Sequence, residues 1–193
     1  MLSFLKYMLQ LVLSPHNGWE DIAKADVRVD VLLSKGLFPL TGLASAASFC
    51  ALLFNVDATL VGCIQAAVIT FIRFFVTYYF AVLIFTSFAS KILSEPANGN
   101  NEGEVYELDQ KRASTFIIYN LGVLVLLALL SNLIPIEHSL LQFFPFLVAL
   151  LMWKGSDFMG VVPGRVGHFT FLSVFAILLP TYLLQYFFEM LLT

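Results

Sequence analysis

Residues 59–93 read TLVGCIQAAVITFIRFFVTYYFAVLIFTSFASKIL, and whether this run is one helix or two decides how often the chain crosses a membrane. As one helix it would extend ~50 Å at 1.5 Å per residue, well beyond the ~30 Å of hydrocarbon in a bilayer. Two helices would need a tight turn near Arg73, yet ITFIRFFVTYYF holds no Gly, Pro, Asn or Asp to make one. The run therefore reads as one long helix whose inner end kinks or projects as an amphiphilic stalk. Tyr78 and Tyr79 then fall near the inner interface, where tyrosine is favoured.

Composition sets the same solvent for the rest of the chain. Of 193 residues, 60% are hydrophobic and 12% charged, about half the charged share of a soluble domain. Mean hydropathy is +0.89. A chain with so little polar surface needs the bilayer as solvent. Net charge is −3 with no basic patch, so nothing is available to displace counterions from nucleic-acid phosphates. No alternating apolar and polar segments of barrel type occur. The class is an all-α polytopic membrane protein, a five-helix transmembrane bundle with an N-terminal amphipathic helix at the interface.

That first helix comes from residues 1–13, MLSFLKYMLQLVL, too short at ~20 Å to span. Its polar residues Ser3, Lys6 and Gln10 recur at steps of three and four, one narrow stripe on an apolar rod. Such a helix lies in the plane of the interface or packs as a buried helix on the bundle. It is not read as a secretory signal, since no small-residue cleavage site follows. Residues 1–35 form a cytoplasmic interfacial helix and elbow, and 36–193 the membrane domain. The spans fall at about 36–54, 59–93, 114–134, 139–153 and 169–188. A polar loop covers 94–112 and a Gly-rich one 154–168.

Five crossings can be tested by charge. With the N-terminus inside, Lys6, Lys24, Arg28, Lys35, Lys91, Lys111, Arg112, Lys154 and Arg165 all fall on one side. The other side holds Asp57, Glu137 and Glu189 and no cation. That asymmetry gives a cytoplasmic N-terminus and an outer C-terminus. Splitting 59–93 would scatter the cations over both sides.

Apart from Lys91 at the end of 59–93, Arg73 is the one charged residue within a span, and an intramembrane arginine is a functional-site hypothesis by default. Counting ~21 Å inward from Thr59 leaves it within ~10 Å of the inner boundary, where its stem can snorkel. Gly62, Ala66, Thr70, Arg73, Thr77 and Ala81 share one face, with Gly62, Ala66 and Ala81 the small residues of a helix-packing seam. Two roles stay open for Arg73. It anchors a helix contact, or it binds a ligand or headgroup in a polar site with Gln65, Thr70, Thr77 and Asn120. Gln65, Asn120, Asn132, Gln142 and Gln185 read by default as interhelical hydrogen-bond formers. Cys50 and Cys63 flank the 55–58 turn and serve as small packing residues or as a pair.

No catalytic, metal or nucleotide signature survives. His16, His138 and His168 fall in separate segments, and KGSDFMGVVPGRVGH (154–168) lacks both phosphate-loop patterns. No cofactor is expected, and the partners are the bilayer, other membrane proteins or a second copy.

The remaining polar island, SPHNGWEDI (14–22), is an interfacial elbow. Ser14 can cap a helix with Pro15 at its first position. Trp19, Ile22 and Ala23 share a face, and Trp19 suits the headgroup level. The spacing P-x-x-x-W-x-x-I (Pro15, Trp19, Ile22), five spans, and G-x(7)-P-x-R after the fourth (Gly155, Pro163, Arg165) resemble the Yip (Rab/Ypt-interacting) superfamily. The closest fit is its bacterial Yip-domain branch. The resemblance covers nearly the whole chain on short motifs. It implies an integral membrane protein without catalysis, in a bacterial inner membrane, with a scaffold, envelope-organising or trafficking role. Eukaryotic members act through small GTPases; the short segment ahead of the first span counts against that adaptor role here. The alternative is a small transporter or lipid-binding protein with a polar cavity around Arg73, which five spans disfavour because they do not divide into two equal repeats.

Overall fold

The computed structural model describes residues 1–94, 106–133 and 143–192, and among these every regular element is helical. Two short helices, α1 (Leu2–Leu13) and α2 (Pro15–Ala25), form an antiparallel hairpin. α3 (Val29–Phe54), α4 (Leu60–Leu93) and α5 (Gln110–Leu133) follow. Then come α6 (Phe144–Lys154) and α7 (Pro163–Phe188). Of these, α3, α4, α5 and α7 are long and apolar enough to cross a membrane, which makes the chain a multi-pass membrane protein.

α6 covers part of the expected span 139–153. Its eleven residues reach only ~16 Å. Residues 139–142, with the 135–138 turn and Gln142, lie outside the described residues, as does the acidic part of the 94–112 loop up to residue 105. The helix that carries the first apolar run begins at Val29 and continues through residues 35 and 36.

α4 runs unbroken for 34 residues past Arg73. Its start is defined by Thr59, whose hydroxyl accepts the Gly62 N–H at 3.1 Å. Asp109 does the same for α5, accepting from the N–H groups of Lys111 (2.9 Å) and Arg112 (3.2 Å). α3 and α7 each contain a π turn, Leu33–Leu37 and Val174–Leu178, ending two residues before Pro39 and Pro180. Proline offers no N–H and its ring presses on the carbonyl four residues back, so each helix widens just ahead of it.

α5 is the central helix. Nearly every residue from Ala113 to Val125 is buried, which is why it shows almost no apolar face of its own in sequence. One end of the bundle gathers α2, the start of α5 and the loop after α6. There Asp26 pairs with Lys111 at 2.6 Å, and the Tyr106 hydroxyl donates to the Met159 carbonyl at 2.8 Å. At the opposite end Asn132 of α5 donates to the Ala44 carbonyl (3.1 Å) and the Ser48 hydroxyl (3.2 Å) of α3.

Candidate functional site

Two places collect the residues singled out above. The first lies between α4 and α7, which run antiparallel. Arg73 donates to the side-chain oxygen of Gln185. One turn away, the Thr181 hydroxyl donates to the Ile177 carbonyl at 2.7 Å, with the Thr77 hydroxyl 3.4 Å from it. The Arg73 guanidinium carbon also stands 4.6 Å from the Phe74 ring centre, and Tyr182 is within its electrostatic reach.

The height of this cluster can be read from neighbours. A recess of about 170 Å³ between α4 and α5 brings Gln110, the first residue of α5, beside Thr86. Arg73 stands 13 positions from Thr86 and 13 from Leu60, ~20 Å from each along the helix. It is therefore about as far from the first residue of α4 as from the level where α5 begins. The recess itself is lined by Val82, Phe85, Thr86, Gln110, Ala113, Ser114 and Ile117, and not by Arg73.

The expected companions of Arg73 divide. Thr70, Thr77 and Ala81 are buried in the bundle, while Gly62 and Ala66 on the same face are exposed, so the buried seam covers only the half of the expected stripe from Thr70 onward. Gln65 is half-buried, eight residues from Arg73. Asn120 is fully buried in α5, its amide donating to the Phe116 carbonyl at 2.8 Å; its oxygen accepts nothing among the described residues. Gln185 and Thr181 of α7 are the partners the sequence reading left out of the site. Both are polar residues in an apolar run, but only the antiparallel register of α4 and α7 pairs them with Arg73 and Thr77.

The second place is the elbow. Trp19 is 3% exposed and enclosed by protein. Its ring stacks between Phe116 (centroids 5.3 Å apart) and Phe158 (5.0 Å), and its indole N–H donates to the Leu151 carbonyl at 3.1 Å. A Cβ on Gly155 would meet the Phe116 ring at 2.5 Å and the Trp19 ring at 3.1 Å. The aromatic stack thus needs a bare backbone beneath it. Ile22 is buried beside Trp19; Ala23 is exposed, and the Ser14 side chain makes no capping bond, although Pro15 does start the helix. Pro163 is exposed and Arg165 half-buried in the turn that leads into α7.

The hairpin docks by the same device. Phe4 and Met8 of α1 enter a notch where side chains on Gly36 and Gly122 would collide with them, at 2.8 Å and 2.6 Å. Phe4 stacks on Tyr119 at 5.0 Å. Gly18 lets α2 approach the α1 backbone at Leu11, and Gln10 donates to the Asp21 carboxylate across the hairpin. Cys50 and Cys63 are free thiols. Among the described residues no three His, Cys, Asp or Glu side chains gather to hold a metal ion. No family model, curated protein or solved structure matches the chain.

Proposed function

We propose that the chain is a Yip-type protein of the bacterial inner membrane that scaffolds other membrane components and catalyses no reaction of its own. It crosses five times, with α6 completing the short fourth passage, the N-terminus cytoplasmic and the C-terminus outside. The first helix lies at the cytoplasmic surface, and partners or a second copy bind through exposed helix faces and that surface. The observation that supports the reading best is the Trp19–Gly155 contact. The two short motifs that carry the resemblance lie far apart in sequence and meet in one aromatic junction, as parts of one structural signature would.

Chemical crosslinking in native membranes, followed by native mass measurement in lipid, tests this. The expected result is a defined self-assembly or a co-purifying membrane protein that survives dilution. A strict monomer with nothing co-purifying would overturn it. Topology is checked separately with reporter fusions at the two ends.

A second reading has its own support. A guanidinium within a candidate span, hydrogen-bonded to Gln185, suits recognition of an anionic group. Lipids retained by the wild type and by Arg73→Gln, compared by mass analysis, decide it. Selective loss of an anionic lipid in the variant favours a lipid-handling role; identical lipid content removes that role.

A further inference from the structure

We propose that the face of α1 carrying Leu2, Leu9 and Leu13 is covered by lipid of the leaflet on that side, with Lys6 beside it on the phosphate of an anionic headgroup. This rests on the reading of α1 as an interfacial helix and names what the helix binds.

α1 is apolar on two faces, and only one is used by the protein. Phe4, Met8 and Leu11 are buried in the bundle. About 150° round the helix, Leu2 is 85%, Leu9 53% and Leu13 84% exposed. The polar stripe of Ser3, Lys6 and Gln10 lies ~75° further on, with Lys6 exposed and Gln10 bonded to α2. The helix surface is thus divided among protein, an apolar medium and a polar one. That division fits a rod lying where the bundle, the acyl chains and the headgroups meet.

Its height agrees. Phe4 and Met8 both touch the Gly122 position, and Phe4 also reaches Gly36 and Tyr119. Gly122 is ten positions past Arg112 along α5, ~15 Å inward from that cation. Phe4 and Met8, one turn apart on α1, flank that one glycine. With α1 lying at the interface, its free leucines face the acyl boundary. Lys6 on the adjoining stripe is exposed and placed to reach the phosphate layer, where a basic residue is attracted to an anionic surface.

Spin labels placed singly at Leu2→Cys, Leu9→Cys, Leu13→Cys and Ser3→Cys, in full-length protein with Cys50 and Cys63 replaced by alanine, test this directly. The protein is reconstituted in phosphatidylcholine vesicles with and without phosphatidylglycerol, after monodisperse elution confirms folding. Labels at 2, 9 and 13 should collide with oxygen far more than with an aqueous nickel chelate, and the label at 3 should show the reverse. Nickel access at 9 and 13 would show a water-facing surface and overturn the proposal. Spin–spin broadening that disappears on dilution with unlabelled protein would show a second copy there, and overturn it equally. Lys6→Glu should move the label at 9 toward water more in the phosphatidylglycerol vesicles; an equal shift in both removes the headgroup role of Lys6. Label depth is independent of whether partners crosslink, so failure here and failure of the scaffold reading are separate results.

Discussion

The indole N–H of Trp19 donates to the carbonyl of Leu151 at 3.1 Å, across 132 positions of chain. Gly155 then closes the last turn of that helix against the same ring. α2 is thereby fixed to the end of α6, and the hairpin becomes part of the bundle's core and not an appendage on it.

Two substitutions separate the bond from the packing. Trp19→Phe keeps an aromatic ring between Phe116 and Phe158 but removes one of the two donors to the Leu151 carbonyl, which still accepts the Gly155 N–H at 2.9 Å, at a cost of about 0.5–1.5 kcal/mol. Trp19→Ala empties the site as well and should cost about 3–5 kcal/mol. Thermal inactivation of a fluorescent fusion, followed by size exclusion in detergent, should rank them wild type, Phe, Ala. Equal stability of all three would show that the junction does not hold the fold.

Glycine positions give a sharper contrast. Gly155→Ala forces a methyl onto the Phe116 ring and should destabilise by about 1–3 kcal/mol. Gly167→Ala meets nothing within 4 Å in a helical turn, so it should be neutral or gain up to about 1 kcal/mol from helix propensity. The same fusion assay reads both, and a loss at residue 167 equal to that at 155 would contradict the packing account.

The helices were legible in sequence because apolar run length and breaker residues are local properties. α4 needed only the absence of a turn former near Arg73, and Pro15 marked the start of α2. The burial of Trp19 was not legible because an amphipathic tryptophan suits both an interface and a buried bond to a carbonyl; the missing information was Leu151, a backbone acceptor that no side chain announces. Gly36 and Gly122 were equally silent, since their role exists only where Phe4 and Met8 arrive from elsewhere. Gln185 was visible as a polar residue in a span, but its pairing with Arg73 depends on helix register, which periodicity does not supply. α5 hid its central place because a helix buried on all sides has no face to reveal.

Lys111 and Asp26 join the start of α5 to the end of α2 at 2.6 Å, with both side chains substantially exposed. Lys111→Ala should therefore cost no more than about 1 kcal/mol, and less as salt is raised. A larger, salt-independent loss would mean that Lys111 holds the hairpin by more than this pair.

Tyr106 links the polar loop to the turn after α6, and burial pushes its phenol above the usual 10.0. A raised folded value means the contribution is complete below pH 10 and is lost as pH climbs through the folded value, because the unfolded chain ionises first. Wild type should thus lose stability above pH 10 faster than Tyr106→Phe, which should be weaker by about 1 kcal/mol near neutrality. Parallel pH profiles for the two would remove Tyr106 from the linkage.

Arg73 and Gln185 offer a test of how much a polar contact between two candidate spans contributes. Interhelical hydrogen bonds in membranes average about 0.6 kcal/mol and reach about 1.7, less than the cost of an unpaired arginine would suggest, because side chains find other partners. A cycle of Arg73→Leu, Gln185→Leu and the double variant, measured by steric trapping or reversible unfolding in lipid, should return a coupling in that range. Zero coupling would make the contact incidental. A coupling well above that range would show that the two residues work as one unit, and would move the weight of the functional reading from the Trp19 junction to the α4–α7 cluster.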